Sequence, residues 1–226
     1  MQNEDIVQLL NDLQGKVLAL GDQVEKMLIR SANLLQRPDP EGLEWLGEEG
    51  RHLRQMRLAI EMRCLALVAS QKPDDGSERS PVVLIEIASD LELIGEHARQ
   101  IGRADYELLE DCFAGSLQSI HHLVEVVRSM LHQAMWAAAQ RDEAAAQAVI
   151  ARAAETASLY ETIQQELRAL MRHRPRFANQ AIHLAHSVNQ LGLATEKIIS
   201  ICEWVMFEIR GGTYGTANVR PGASAP

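Results

Sequence analysis

A run of eleven residues occurs twice in this chain, 100 residues apart. The first copy, Leu91–Ile101, reads LELIGEHARQI, and the second, Leu191–Ile201, reads LGLATEKIISI. Leucine, leucine, glutamate and isoleucine recur at matching positions. A period this long indicates a duplicated half-domain, because solenoids repeat roughly every 20 to 50 residues. The chain is therefore predicted to have two related halves that carry equivalent carboxylates, Glu96 and Glu196.

The composition favours helices. The chain has 226 residues, of which 46% are hydrophobic and only 4% aromatic. Ala, Leu, Glu, Gln and Arg dominate it, and these residues lose little side-chain entropy in a helix. No segment alternates between apolar and polar residues in the manner of a strand. We expect an all-α protein with a substantial buried core.

The net charge is −9, from 22 basic and 31 acidic residues. This charge opposes nonspecific binding to nucleic acid, whose phosphates would repel the chain, so no nucleic-acid partner is predicted. The longest apolar runs are far shorter than the roughly 20 residues that span a bilayer. The first residues, Met1–Asp5, are polar and acidic, which is unlike a signal peptide.

The cysteines also bear on the cellular compartment. Cys64, Cys112 and Cys202 are far apart and odd in number, with neither zinc-site spacing nor a disulfide framework. We expect each to be a small buried apolar residue. Three reduced thiols agree with a cytoplasmic location, which we predict.

Helical periodicity and helix breakers divide the chain into six predicted helices. Prolines in the segment Arg37–Pro40 end the first helix, turn residues fill Gln71–Ser80, and Gly115 with Ser116 precedes the fourth helix. A short turn is predicted at Arg141 and Asp142. The helices are predicted at about Glu4–Gln36, Glu41–Ser70, Ser80–Phe113, from after Ser116 to about Gln140, Glu143–His173 and Arg176–Arg210.

The two halves match beyond the repeated run. Met27 corresponds to Met130, an offset of 103, and Leu65 corresponds to Leu167, an offset of 102. Short connections force neighbouring helices to be antiparallel. The predicted fold is all-α, with two tandem, duplicated antiparallel three-helix bundles at residues 1–113 and 114–212. The tail, 213–226, is rich in Gly, Ala and Pro and is predicted to be disordered.

Carboxylates on the third predicted helix are candidate metal ligands. Glu92 and Glu96 are four residues apart, so they share one face of a helix, and Asp90 lies close by. Carboxylate-rich helix faces hold iron, manganese or magnesium in helical bundles. The alternative is a solvated acidic face whose charges pair with Arg99 and Arg103.

The second copy of the run is less acidic. Gly192 stands where Glu92 stands in the first copy, which leaves Glu196 as the fourth candidate ligand. Lys197 is its neighbour and can satisfy this carboxylate without a metal. No Gly-rich phosphate loop, nucleophile elbow or zincin motif occurs in the chain, so no enzymatic activity is predicted.

These residues together resemble the PhoU family, bacterial regulators of phosphate uptake. Ser89–Ala98, SDLELIGEHA, follows the family signature, which reads roughly S/N-D-L-E-R-I-G-D-H-A. Cys202–Val205, CEWV, resembles the A-E-W-V end of the second signature, and Val17–Glu25 resembles the first helix of the family. The resemblance covers about residues 4–212 and includes the duplicated layout.

The resemblance implies two three-helix bundles and a non-enzymatic adaptor that represses the phosphate-starvation response when phosphate is plentiful. It implies contacts with the ATPase subunit of a phosphate ABC transporter (PstB-like) and with a PhoR-like sensor kinase, at the periphery of membrane complexes. Some members of the family bind divalent or iron-type metal ions at E/D-x-x-x-D motifs. Glu92 and Glu96 match the first such motif, and only Glu196 matches in the second.

Two other functions remain open at this point. A metal-binding helical bundle would depend on Asp90, Glu92 and Glu96. A repurposed dimeric scaffold would use Trp45, Trp136 and the apolar stripes of the helices as its interface. A homodimer is expected.

Overall fold

A computed structural model describes residues 3–37, 39–70, 79–102 and 113–210 of the protein. Within these ranges the chain is almost entirely helical and contains no strand, which confirms the all-α prediction. The elements are α1 (Asn3–Gln36), α2 (Pro40–Ser70), α3 (Arg79–Gly102), α4 (Ala114–Gln140), α5 (Glu143–Ala151), α6 (Ala153–His173), a 3-10 turn (Pro175–Phe177) and α7 (Ala178–Arg210).

The helices form two three-helix bundles that lie side by side, as predicted. In the first bundle α2 packs against α1 and α3. In the second, α5 and α6 together take the place of a single helix and pack against α4 and α7. The bundles meet where α3 contacts α7 and where α1 contacts α4. These four helices therefore form a central block, with α2 on one side of it and α5 and α6 on the other.

Apolar residues three and four positions apart explain why α1 buries one face. Leu13, Val17, Leu20, Val24 and Met27 are all at most 2% exposed, because this spacing places them on a single stripe of the helix. Full burial of such a side chain contributes about 1.5–3 kcal/mol. The core that they enter continues without interruption through both bundles.

The turn between α4 and α5 lies where it was predicted. Arg141 ends α4 in a left-handed conformation, with φ 51°, and its backbone N–H donates to the carbonyl oxygen of Ala137. Asp142 then begins α5, since its carboxylate accepts a hydrogen bond from the Ala145 N–H at 3.0 Å. An acidic residue at this position satisfies an amide that the first turn of a helix leaves unpaired.

The fifth predicted helix, Glu143–His173, is interrupted at Arg152, so the prediction of one continuous helix is wrong. The Arg152 N–H is shared between the carbonyl oxygens of Ala148 and Val149, at 3.3 and 3.1 Å. Its guanidinium donates to Gln133 Oε1 of α4 at 2.9 Å. This contact with another helix anchors the interruption, and no proline or glycine nearby marks it.

Some other helix ends differ slightly from the predictions. Ser80, predicted to begin the third helix, lies one residue inside α3, and its hydroxyl donates to Glu208 Oε1 at 2.6 Å. The last helix begins at Ala178, two residues later than predicted, because the 3-10 turn precedes it. The turn at 71–78, the predicted helix beyond Gly102 and the tail 213–226 lie outside the described residues. The boundary at Ala114 stays a prediction.

Two of the three cysteines are buried, as predicted. Burial raises the pKa of the Cys64 thiol to about 11 and that of the Cys202 thiol to about 12. Both thiols are free and remain protonated near neutral pH, which makes them poor nucleophiles. Cys112 lies outside the described residues.

No helix in the described part of the chain is a candidate for crossing a membrane. None of them combines the length and the apolar character that a bilayer-spanning segment requires.

Substitutions at two glycines should change the free energy of unfolding in opposite directions. A Cβ at Gly95 would lie 2.3 Å from Leu53 Cδ1 of α2, whereas a Cβ at Gly15 would meet nothing within 4 Å. We expect Gly95→Leu to lower the free energy of unfolding by about 1–3 kcal/mol through overpacking. Gly15→Ala should raise it by about 0.5–1 kcal/mol through helix propensity. Urea unfolding followed by circular dichroism measures both, and a stable Gly95→Leu variant would contradict the close approach of α2 and α3.

Candidate functional site

The two copies of the repeated run lie beside each other on α3 and α7. Asp90 Oδ1 lies 3.2 Å from Lys197 Nζ, and His97 Nδ1 lies 2.7 Å from Gln190 Oε1. With an offset of 100 residues, position 90 is equivalent to 190 and position 97 to 197. The two contacts therefore join equivalent pairs of positions, which are related by an internal pseudo-two-fold axis. The same pairing shows that α3 and α7 run antiparallel.

The same axis appears on the opposite side of the molecule. Glu25 Oε2 of α1 lies 3.6 Å from Arg128 Nη1 of α4. The offset of 103 residues makes these two positions equivalent, so each contacts its own counterpart. On the first side the axis passes near Leu93 and Leu193, which are both partly exposed. We call this first side, formed by α2, α3, α7 and α6, the α3–α7 face.

The two equivalent contacts differ in charge. Asp90 is 6% exposed, and its Oδ2 has no hydrogen-bond partner among the described residues, so Lys197 is its counter-ion. In the other contact a histidine meets an amide, and Gln190 Nε2 lies 3.3 Å from His186 Nε2. A buried carboxylate needs a cation because removal from water disfavours an isolated charge. We therefore expect stability to depend more on the contact of Asp90 with Lys197 than on the contact of His97 with Gln190.

Arginines occupy the groove between α2 and α3. Glu92 accepts hydrogen bonds from Arg54 Nε at 3.0 Å and from Arg57 Nε. Glu96 accepts from Arg99 Nε at 2.7 Å, which raises the pKa of the Arg99 guanidinium above its ordinary value. This groove has a volume of about 470 Å³ and is lined in part by charged side chains.

The equivalent groove between α6 and α7 has no arginine at the corresponding positions. Its volume is about 370 Å³, and Thr156, Tyr160, Gly192 and Glu196 are among its lining residues. By the repeat offsets, Thr156 replaces Arg54, Leu159 replaces Arg57 and Ile199 replaces Arg99. The second groove is therefore mostly apolar, with the exposed carboxylate of Glu196 at its rim.

The four predicted metal ligands do not come together. Asp90 faces Lys197, Glu92 and Glu96 are held by guanidinium groups, and Glu196 lies in the other groove. In the described part of the chain, no group of three His, Cys, Asp or Glu side chains could hold a metal ion. Metal binding at these residues stays a prediction.

The alternative, an acidic face whose charges pair with arginines, describes the first copy better than a metal site does. The predicted pair of Glu96 with Arg99 is present, and Arg103 lies outside the described residues. The sequence interpretation missed Arg54, Arg57 and Gln190. The repeat contained a usable signal for Gln190, since it is the counterpart of Asp90 and therefore faces the counterpart of Lys197.

A family model described as the PhoU domain matches residues 17–104 and 120–205, one match in each half. The chain belongs to the PhoU family. This confirms the resemblance seen in the sequence. It also confirms the prediction of a non-enzymatic protein, because this is a family of accessory proteins.

Relatives match over most of their length. The phosphate-specific transport system accessory protein PhoU homolog of Clostridium acetobutylicum is 25% identical over 203 residues, covering 89% of this chain and 93% of the relative. The PhoU protein of Escherichia coli K12 is 23% identical over 208 residues, covering 91% and 85%.

Solved structures share the fold. The crystal structure of PhoU from Pseudomonas aeruginosa matches with a TM-score of 0.82 at 24% identity, covering 91% of this chain and 99% of that one. The phosphate transport system regulatory protein PhoU from Streptococcus pneumoniae matches with a TM-score of 0.81 at 21% identity, covering 92% and 98%. The architecture of this chain is that of PhoU proteins.

The pair of Asp90 with Lys197 predicts a specific pattern of stability. The Asp90 carboxylate is buried, whereas the Lys197 side chain is 36% exposed. Lys197→Met leaves the carboxylate without its counter-ion, so we expect a loss of about 1–3 kcal/mol in the free energy of unfolding. Asp90→Asn combined with Lys197→Met should recover a large part of this loss, because no buried charge remains. Urea unfolding of the single and double variants measures the coupling. Additive losses would mean that the pair does not stabilise the contact of α3 with α7.

Proposed function

We propose that this protein is a cytoplasmic accessory protein of a phosphate ABC transporter. It links the PstB-like ATPase subunit to a PhoR-like sensor kinase and represses the phosphate-starvation response when phosphate is plentiful. The observation that carries the proposal is the match of the PhoU domain to both halves of the chain. Relatives that match along most of their length are named as accessory proteins of phosphate-specific transport.

The α3–α7 face supplies a docking surface for such partners. Its first groove carries guanidinium and carboxylate groups that already pair with each other. Its second groove is mostly apolar and has Glu196 at the rim. A partner segment that places an apolar side chain beside Gly192 and a Lys or Arg beside Glu196 would complement this second groove in shape and charge.

Binding of this kind produces regulation without chemistry. A protein that binds one state of a transporter or kinase more tightly than another shifts the partner toward that state. The two grooves of the α3–α7 face differ in charge, so they can bind two different surfaces. This difference suits an adaptor that connects an ATPase subunit to a kinase.

A phosphate-starvation reporter, such as alkaline phosphatase, tests the function in cells grown in high phosphate. Deletion of the gene should raise the reporter, and the wild-type gene should restore repression. Glu196→Arg should restore it poorly, because the partner cation would meet a like charge. Glu166→Arg, an exposed residue of α6 outside the groove, is the matched control and should restore it fully.

The possible outcomes test the regulatory role and the docking surface separately. An unchanged reporter after deletion would overturn the regulatory role. Full repression by Glu196→Arg would keep the role and reject the groove between α6 and α7 as the docking surface. Immunoblots of both variants establish that they are present at equal levels.

A further inference from the structure

The groove between α2 and α3 is lined by more basic than acidic side chains. The described residues along it include three arginines, Arg51, Arg54 and Arg99, and two acids, Glu92 and Glu96. The chain as a whole has the opposite balance, with a net charge of −9. A concave surface focuses the field of the charges that line it, so a local excess of cations can attract an anion to an acidic protein.

Arg51 is the arginine of this groove that has no carboxylate partner. It is exposed and takes part in no ion pair within the described part of the chain. Its Nη1 would lie 4.0 Å from a Cβ added at Gly47, and that Cβ would have no other close neighbour. The Arg51 guanidinium therefore borders open space beside the preceding turn of α2.

Arg54 adds donors next to Arg51. Its Nε donates to Glu92 Oε1 at 3.0 Å, and its side chain is 71% exposed. Glu92 therefore orients the guanidinium and leaves both Nη groups without a partner among the described residues. Arg51 and Arg54 are three residues apart, so they share one face of α2.

The geometry points to a binding site for a phosphoryl group in this groove. Arg51 and the Nη groups of Arg54 donate hydrogen bonds to its oxygens, and Arg99 adds positive charge from α3. The planar fork of a guanidinium matches pairs of phosphoryl oxygens. A carboxylate fits one such fork, whereas a phosphoryl dianion with three terminal oxygens can bridge two of them.

Two glycines provide the space for the anion. Gly47 and Gly50 both line the groove, about one turn apart on α2. A Cβ at Gly50 would lie 3.4 Å from Arg99 Cδ, so the side chain from α3 passes close to the backbone of α2 there. The volume of about 470 Å³ is large enough for free orthophosphate or for the phosphates of a nucleotide.

The second half of the chain does not repeat this arrangement. Ala153 stands where Arg51 stands in the first half, and Thr156 stands where Arg54 stands. Both line the groove between α6 and α7. We therefore expect one anion per chain, bound in the first half.

Isothermal titration calorimetry of the full chain tests the proposal, in a phosphate-free buffer of low ionic strength. The probes are orthophosphate and, separately, ATP without a divalent metal. Binding should occur at one site per chain and weaken as salt rises. Arg51→Gln should weaken it by more than tenfold and should fold normally, since Arg51 has no ion pair to lose. Arg168→Gln removes an exposed arginine of α6 and should bind like the wild type.

A second variant distinguishes binding in the groove from general attraction of anions. Gly47→Leu keeps every charge but fills the space beside the Arg51 guanidinium, so it should weaken binding as strongly as Arg51→Gln does. Circular dichroism checks that both variants keep the helical fold.

The two probes identify the source of the phosphoryl group. Binding of orthophosphate assigns the site to the free anion, and binding of ATP without binding of orthophosphate assigns it to a nucleotide. Binding of neither probe would overturn the proposal, as would binding that Arg51→Gln and Gly47→Leu leave unchanged. The measurements use the purified chain alone, so neither result depends on the role in phosphate regulation.

Discussion

The antiparallel contact between α3 and α7 is the constraint on which the rest of the structure depends. It brings the two copies of the repeated run together, so that Asp90 meets Lys197 and His97 meets Gln190. The buried side chains of the same helices join the core of both bundles. Because α1 and α4 meet around the same axis, the remaining helices lie outside this central block. Two copies of one three-helix unit thus become a single packed molecule.

The two halves pack in the same way in the core but differ in the residues on their surface. The groove of the first half holds Arg54 and Arg57 against Glu92. The second half has Gly192 in place of that glutamate and no cations in place of those arginines. One fold therefore presents two grooves of different chemistry on the same face. Function depends on such sites more than on the fold that carries them.

Local chemistry explains which features the sequence could predict. The first helix and the turn at Arg141 and Asp142 depend on residues near each other in the chain, and both were predicted. The interruption at Arg152 depends on a contact with α4, so no local pattern marks it. The metal interpretation considered carboxylates along one helix, whereas Arg54 and Arg57 reach Glu92 from 38 and 35 residues away. The repeat offsets were the one long-range signal available in the sequence.

The proposed function requires the α3–α7 face to bind the ATPase subunit of a phosphate transporter. Hydrogen–deuterium exchange of the protein, alone and with the purified ATPase subunit, tests it most directly. We expect slower exchange in peptides that cover 153–160 of α6 and 189–199 of α7, with no change in α1 or α4. Protection confined to α1 and α4, or no binding at all, would contradict it.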